Sequence, residues 1–244
     1  PGVQVVPAEQ PFTFRGYARG ASRGVGTRNH IAVIGTSSRT ASFAKILEQR
    51  FRSERIDPGG FDGVVAVAHT EGGGTERPSN GEYVLRVLSG LMVHPNVGAV
   101  VAVDTGTEAL NNAVLRTYMV QMGYPLDEVP HRFLSLDGGF ERGLGEAASQ
   151  IEEWRRQVER IPRTEATARN LKVALQCGGS DAFSGISGNP LAAWVAREVI
   201  RGGGSANLAE TDELIGAEPY ILRNVKDLST ARQFLAAVQR YKDL

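Results

Sequence analysis

Cysteine is almost absent from this 244-residue chain, which has only Cys177. A single thiol excludes an intramolecular disulfide framework and a zinc site made of cysteines alone. Long apolar runs are missing as well, none approaching the roughly 20 residues that a membrane-spanning helix requires. Neither sign of charge is in excess: 27 Lys plus Arg face 27 Asp plus Glu, interspersed along the chain. That balance leaves no charged tail and no electrostatic footprint for nucleic acid or an anionic membrane. There is no internal repeat, no low-complexity tract and no basic-then-apolar leader, so the cytoplasm is the expected compartment. The chain opens on Pro1 without a methionine, and its natural start is expected upstream. What remains is an ordinary globular composition, 41% hydrophobic and 22% charged, enough for one large domain or two small ones.

Residues 1–13 are proline-rich and aperiodic and read as a linker. Short apolar runs of strand length follow at 31–35, 63–68, 97–103, 131–136, 171–176 and 205–209. Between them lie helix-length segments at 41–54, 79–92, up to 122, 141–160, 191–200 and 228–244, several with apolar residues at helical spacing. Strands alternating with long helices predict an α/β fold, with parallel sheets, crossover helices and two Rossmann-like βα halves. The charged stretch 161–170 divides a first α/β domain, 14–162, from a second unit, 170–244. Ligands of such sheets bind beyond the carboxyl ends of the strands. The polar, glycine-rich stretches after the first, second, third and fifth strands fall at those ends.

The most informative stretch is Leu171–Pro190. An apolar strand ends at Cys177, Gly178 and Gly179 free the backbone to turn, and Ser180, Asp181, Ser184 and Ser187 follow. Asn189-Pro190 supplies an N-cap and a first-turn proline for the next helix. Such a strand–loop–helix start offers amide donors to an anion. The loop of about twelve residues exceeds the two to six of an ordinary βα turn, which argues for a ligand site. Gly24-Val-Gly-Thr-Arg-Asn29 lacks the third glycine of a dinucleotide fingerprint and precedes its strand, so no nucleotide cofactor is expected. Arg28 and Asn29 read as polar groups delivered to a strand start, or as a solvated turn. Candidate reactive groups at strand ends are His69, Glu71, Asp104, Glu108, Cys177, Asp181, Glu210 and Glu213. His69 is a catalytic or a hydrogen-bonded structural histidine; Asp181 is a ligand or a helix cap. A divalent metal would draw on Glu210, His69 or Cys177, although no HxxxH or CxxC spacing supports it.

Five stretches together resemble the altronate and galactarate dehydratases, a family of sugar-acid hydro-lyases. They are Phe14-Arg-Gly-Tyr-Ala-Arg19, Gly24–Asn29, His94-Pro-Asn96, Cys177–Pro190 and Glu210-Thr-Asp-Glu-Leu-Ile-Gly-Ala-Glu218, in the family's order over residues 12–240. The resemblance implies elimination of water from an aldonate or aldarate to give a 2-keto-3-deoxy acid, usually with iron or another divalent metal. A related branch releases sulfite from sulfolactate. The family usually has cysteines where this chain places Arg39, Gly73 and Thr107, so the chain resembles a cysteine-poor and shortened member. Loss of those thiols puts the implied metal in question and allows a sugar-acid-binding paralogue without turnover. On this resemblance His69, Glu71 and Asp181 are the expected catalytic residues: His69 the base, Glu71 or Asp181 the acid. Arg28, Asn29, Gly179, Ser180 and Ser184 would hold the substrate carboxylate, and Cys177 and Glu210 a metal. The implied partners are a small sugar acid, a separate small domain or subunit, and further copies of the chain in a homo-oligomer, with no nucleic acid or membrane.

Overall fold

The computed structural model describes residues 7–52, 60–179 and 181–243, in two compact units. One comprises residues 15–165; the other joins residues 7–14 to residues 166–243, with the Ala8 N–H donating to the Arg201 carbonyl at 3.0 Å. In chain order the elements begin with β1 (Thr13–Ala18), α1 (Gly20–Arg23), β2 (Val25–Gly26) and β3 (His30–Gly35). They continue with α2 (Ala41–Phe51), β4 (Val64–Val67), α3 (Gly81–Met92), β5 (Val97–Asp104) and α4 (Asn112–Gln121). After β6 (His131–Ser135), α5 (Phe140–Val158) and β7 (Thr164–Thr167) come β8 (Lys172–Leu175), α6 (Ala182–Ile186) and α7 (Gly188–Arg201). The last are β9 (Ser205–Leu208), α8 (Glu218–Asn224) and α9 (Leu228–Lys242). No helix among the described residues is long and apolar enough to cross a membrane.

The larger unit is built on a four-stranded parallel sheet of order β4-β3-β5-β6. Successive side chains of a strand point to opposite faces, and the apolar residues of β3 and β5 divide accordingly. Ile31, Val33, Ala99, Val101 and Val103 pack with Phe43, Leu47, Ile151 and Trp154 from α2 and α5. Ala32, Ile34, Val100 and Ala102 pack with Leu85, Leu88, Leu115 and Met119 from α3 and α4. The central strands are therefore apolar on both faces, as the continuous run Ile31–Gly35 requires. Burial of each large apolar side chain contributes about 1.5–3 kcal/mol, and this double layer fixes the strands whose ends carry the polar loops. β1 pairs antiparallel with β2, Tyr17 opposite Gly26, in a three-stranded sheet of order β2-β1-β7.

The smaller unit is organised on the parallel pair β8 and β9, with Leu175 opposite Leu208. α7 begins at Gly188, so Asn189 stands inside its first turn and is not its N-cap. The loop before it is not wholly irregular either, because Asp181 caps the short α6 by accepting the Ser184 N–H at 2.8 Å. α7 ends at Gly202, and Gly203 takes the left-handed conformation (φ 86°). A Cβ on Gly204 would stand 2.6 Å from the Ala168 carbonyl oxygen, which explains the run Arg201-Gly-Gly-Gly204 by close packing as well as by capping.

Candidate functional site

Parallel strands bring four loops of the larger unit to one sheet edge. After β4, His69 is held through both ring nitrogens. Its Nδ1 accepts the Glu71 N–H at 3.2 Å, so Nε2 is the protonated nitrogen and donates to the Gly35 carbonyl at 3.0 Å. The Glu71 carboxylate accepts from the Asn80 amide at 2.9 Å and the Thr70 hydroxyl at 3.2 Å. These two bonds, Asn80 first, hold its pKa below the ordinary glutamate value. Glu71 is therefore ionised at neutral pH, which suits a base and not the proton donor expected of it. His69, Glu71 and Asn80 form the polar end of a cavity of about 320 Å³. Val67, Tyr83, Val87 and Leu91 form its apolar remainder, a lining poor in partners for a polyhydroxy acid.

Glu108, after β5, is 2% exposed and ties two strand ends together, those of β3 and β5. Its Oε1 accepts the Ser37 hydroxyl at 3.1 Å and the Thr105 N–H at 2.9 Å; its Oε2 accepts the Thr107 N–H at 3.0 Å and the Thr105 hydroxyl. Burial pushes its pKa upward, but the bonds from Thr105 and Ser37 outweigh that push and hold it below the usual value. Two N–H groups and two hydroxyls face the carboxyl group, and the ionised form accepts from all four. Thr105 must then receive its own hydrogen bond from Thr107, whose hydroxyl lies 3.1 Å away. The lone pairs of Thr107 are left to accept Arg39 Nη1 at 2.8 Å, while Arg39 Nε donates to the Gly73 carbonyl at 2.5 Å. Arg39, Gly73 and Thr107, three distant positions in sequence, thus meet at one place. Asp104 is 4% exposed; its Oδ2 accepts the Asn112 N–H at the start of α4, and its Oδ1 is buried without a partner among the described residues.

Arg28 and Asn29 stand at the other end of the sheet. They precede β3, whereas His69 and Glu71 follow the parallel β4, a separation of about 20 Å for a six-residue strand. The expected grouping of these four residues in one site is corrected by strand direction. Asn29 is fully buried and accepts Arg19 Nη2 at 2.6 Å; its amide donates to the Gly60 carbonyl at 2.6 Å and to that of Val158 at 2.9 Å. Arg19 also donates to Pro95, and Arg23 donates to the carbonyls of Val93, His94, Val97 and Glu128. Burial, then the nearby Arg23, lowers the Arg19 pKa to about 10. Asn96 accepts the backbone N–H groups of Thr27 and Arg28, and a Cβ on Gly26 would stand 2.1 Å from the Pro95 carbonyl oxygen. Three of the stretches that carry the family resemblance, Phe14–Arg19, Gly24–Asn29 and His94–Asn96, are therefore one interlocked structural knot.

In the smaller unit Cys177 and Glu210 each lie two residues beyond a paired strand end. Cys177 Sγ accepts the Asn189 amide at 3.7 Å, and Glu210 accepts that of Gln176 at 3.1 Å. Among the described residues Glu210 is the non-glycine residue with positive φ, at 66°. A left-handed residue with a Cβ costs about 1 kcal/mol, and such strain concentrates where a side chain must be aimed. Glu210→Gly is accordingly expected to raise the stability of this unit by about 0.5–1 kcal/mol in chemical denaturation; a lowered midpoint would refute strain at this position. Gly179 is exposed and Ser184 half-buried, the latter donating its hydroxyl to the Asp181 carbonyl at 2.8 Å. Ser180 lies outside the described residues.

At Arg39, Gly73 and Thr107 the side chains do not fit the metal that the resemblance implies. No group of three His, Cys, Asp or Glu residues among those described is placed to hold an ion. Where three thiols are implied, the larger unit has a guanidinium, a hydroxyl and a glycine. A Cβ on that glycine, Gly73, would come 2.2 Å from Ser38 Oγ. A fixed cation repels a metal ion, and a lone neutral hydroxyl does not replace thiolates.

Both units are thus α/β structures with their polar, glycine-rich loops at the carboxyl ends of parallel strands, the class in which small molecules are bound at such ends. Two family models match: D-galactarate dehydratase/altronate hydrolase, second domain, over residues 16–159, and D-galactarate/altronate dehydratase, C-terminal, over residues 168–244. The chain belongs to this D-galactarate/altronate dehydratase family. Altronate dehydratase of Escherichia coli (strain K12) is 30% identical over 244 residues, covering 99% of this chain and 48% of that protein. The Bacillus subtilis (strain 168) altronate dehydratase is 28% identical over 233 residues, or 94% of this chain and 45% of the relative. The beta subunit of (2R)-sulfolactate sulfo-lyase from Chromohalobacter salexigens is 24% identical over 229 residues, or 94% and 54%. The chain spans about half the length of these curated relatives.

Proposed function

We propose that this chain supplies the sugar-acid-handling part of a hydro-lyase that converts an aldonate or aldarate, such as altronate or galactarate, to a 2-keto-3-deoxy acid. The observation that carries this reading is the match of both units, in order, to domains of one dehydratase family. In the reaction a base takes the proton alpha to the carboxylate, the C–O bond at the next carbon breaks, and the hydroxyl leaves as water once protonated. The remaining enol then becomes the 2-keto acid. His69 is the proposed base, acting through Nδ1 while Nε2–H stays anchored on Gly35; the Glu71 N–H must first release Nδ1. Within the smaller unit, Gly179, Ser180 and Ser184 are proposed to offer amides and hydroxyls to a carboxylate, once Ser184 is released from Asp181. Cys177, at the start of this loop, and Glu210, beyond the neighbouring β9, add a thiol and a carboxylate at the same strand ends.

The test is a screen of altronate, galactarate and sulfolactate for keto-acid or sulfite release by the purified chain. His69→Asn is expected to lower turnover at least about 100-fold while costing about 1 kcal/mol of stability for the lost Gly35 bond. Wild-type turnover in that variant would remove His69 from the role. A second reading, a sugar-acid-binding protein without turnover, is favoured by the engagement of both His69 nitrogens and would show binding with no product. The exposure of Phe183, Ile186, Leu191 and Trp194 in the smaller unit supports a partner domain, or further copies of the chain, as part of the active assembly.

A further inference from the structure

We infer that the larger unit carries a metal-independent carboxylate site centred on Arg39. The inference rests on the proposed function for its choice of ligand, a hydroxy-acid anion, and on the following geometry for its place. Arg39 is exposed, yet it is fixed by two hydrogen bonds to neutral acceptors, the Gly73 carbonyl and the Thr107 hydroxyl. A guanidinium has five N–H donors, so its remaining donors have no partner among the described residues. The carboxylate linked to it by hydrogen bonds, Glu108, is reached through the Thr107 and Thr105 hydroxyls, and both its oxygens are already engaged. This relay aims the cation without neutralising it by direct contact. The Gly73 backbone reaches Arg39 because residue 73 has no Cβ to strike Ser38. Three strand ends therefore present an oriented, delocalised cation where the family resemblance implies a metal. Its planar fork matches a carboxylate.

The full chain, purified without added metal, is assayed by elemental analysis and by calorimetric titration with galactarate, with and without a chelator. The expected result is no stoichiometric divalent metal and binding that the chelator leaves unchanged. Arg39→Gln should weaken that binding roughly 10- to 100-fold. Arg39→Lys, which keeps the charge and loses the fork, should fall between, and it carries the test if the glutamine variant does not fold. A bound stoichiometric metal, no binding by the wild type, or unchanged affinity in the variants would overturn the site. Product formation is followed on the same samples, so the two readings fail separately. Turnover with unchanged affinity in Arg39→Gln rejects the Arg39 site alone; Arg39-dependent binding without product rejects the dehydratase reading alone.

Discussion

Replacement of Asn29 by alanine is expected to destabilise the larger unit by about 3–5 kcal/mol, a large share of the 5–15 kcal/mol typical of a whole domain. The cause is the number of buried groups that this one amide satisfies. Its oxygen accepts Arg19, and its nitrogen donates to the carbonyls of Gly60 and Val158. Alanine would leave two carbonyls and one face of a buried guanidinium without partners, and each orphaned group costs its desolvation. Burial already disfavours the charge on Arg19, whose pKa falls to about 10. Asn29→Asp should not rescue the loss, because its carboxylate keeps an acceptor for Arg19 but sets its second oxygen against the carbonyls of Gly60 and Val158. Urea denaturation followed by circular dichroism measures the loss. At low temperature, where the variant remains folded, galactarate affinity is expected to match the wild type. A stable variant with weakened affinity would return Asn29 to the substrate site.

Asn29 also shows what the sequence could and could not disclose. The continuous apolar runs at Ile31–Gly35 and Val97–Val103 announced strands buried on both faces, and the amphipathic segments between them announced the helices. Direction follows from that alternation, since parallel strands send their carboxyl ends to one edge. Direction alone was enough to separate Arg28 and Asn29 from His69, because the former precede their strand and the latter follows its own. Motif density pointed the other way: the stretches rich in Gly, Arg and Asn look like ligand chemistry, whereas their burial makes them a structural knot. Nothing in the spacing of Arg39, Gly73 and Thr107 predicted that one side chain would bridge all three, for that contact is created by the order in which β3, β4 and β5 pair. The role of Glu108 was hidden for a similar reason. The sequence marks Glu108 only as a candidate reactive group at a strand end, and the folded loop turns it inward against Ser37.

That inward turn makes Glu108→Gln the informative partner of the Arg39 variants. Glutamine preserves volume but replaces one carboxylate oxygen with an NH2 donor, which would face either the Ser37 hydroxyl and Thr105 N–H or the Thr105 hydroxyl and Thr107 N–H. Opposed donors and a lost charge are expected to cost about 3 kcal/mol near pH 7. The cost should depend on pH in one direction. The folded pKa of Glu108 lies below its ordinary value, so its stabilising contribution is fully present above the unfolded value, about 4.3. It is lost as pH falls through the folded pKa, where the wild type takes up the proton that satisfies fewer of the four donors. The difference in unfolding free energy between wild type and Glu108→Gln should therefore narrow as denaturation is repeated from about pH 7 to about pH 3. An unchanged difference would mean that hydrogen-bond geometry, not the charge, sets the cost. The same variant releases Thr105 and Thr107 from the ordered relay, so Arg39 loses its orientation while keeping its charge. Galactarate binding in Glu108→Gln is expected to weaken less than in Arg39→Gln and to recover none of its strength on addition of a divalent metal, since the change creates no ligand set at Arg39, Gly73 and Thr107.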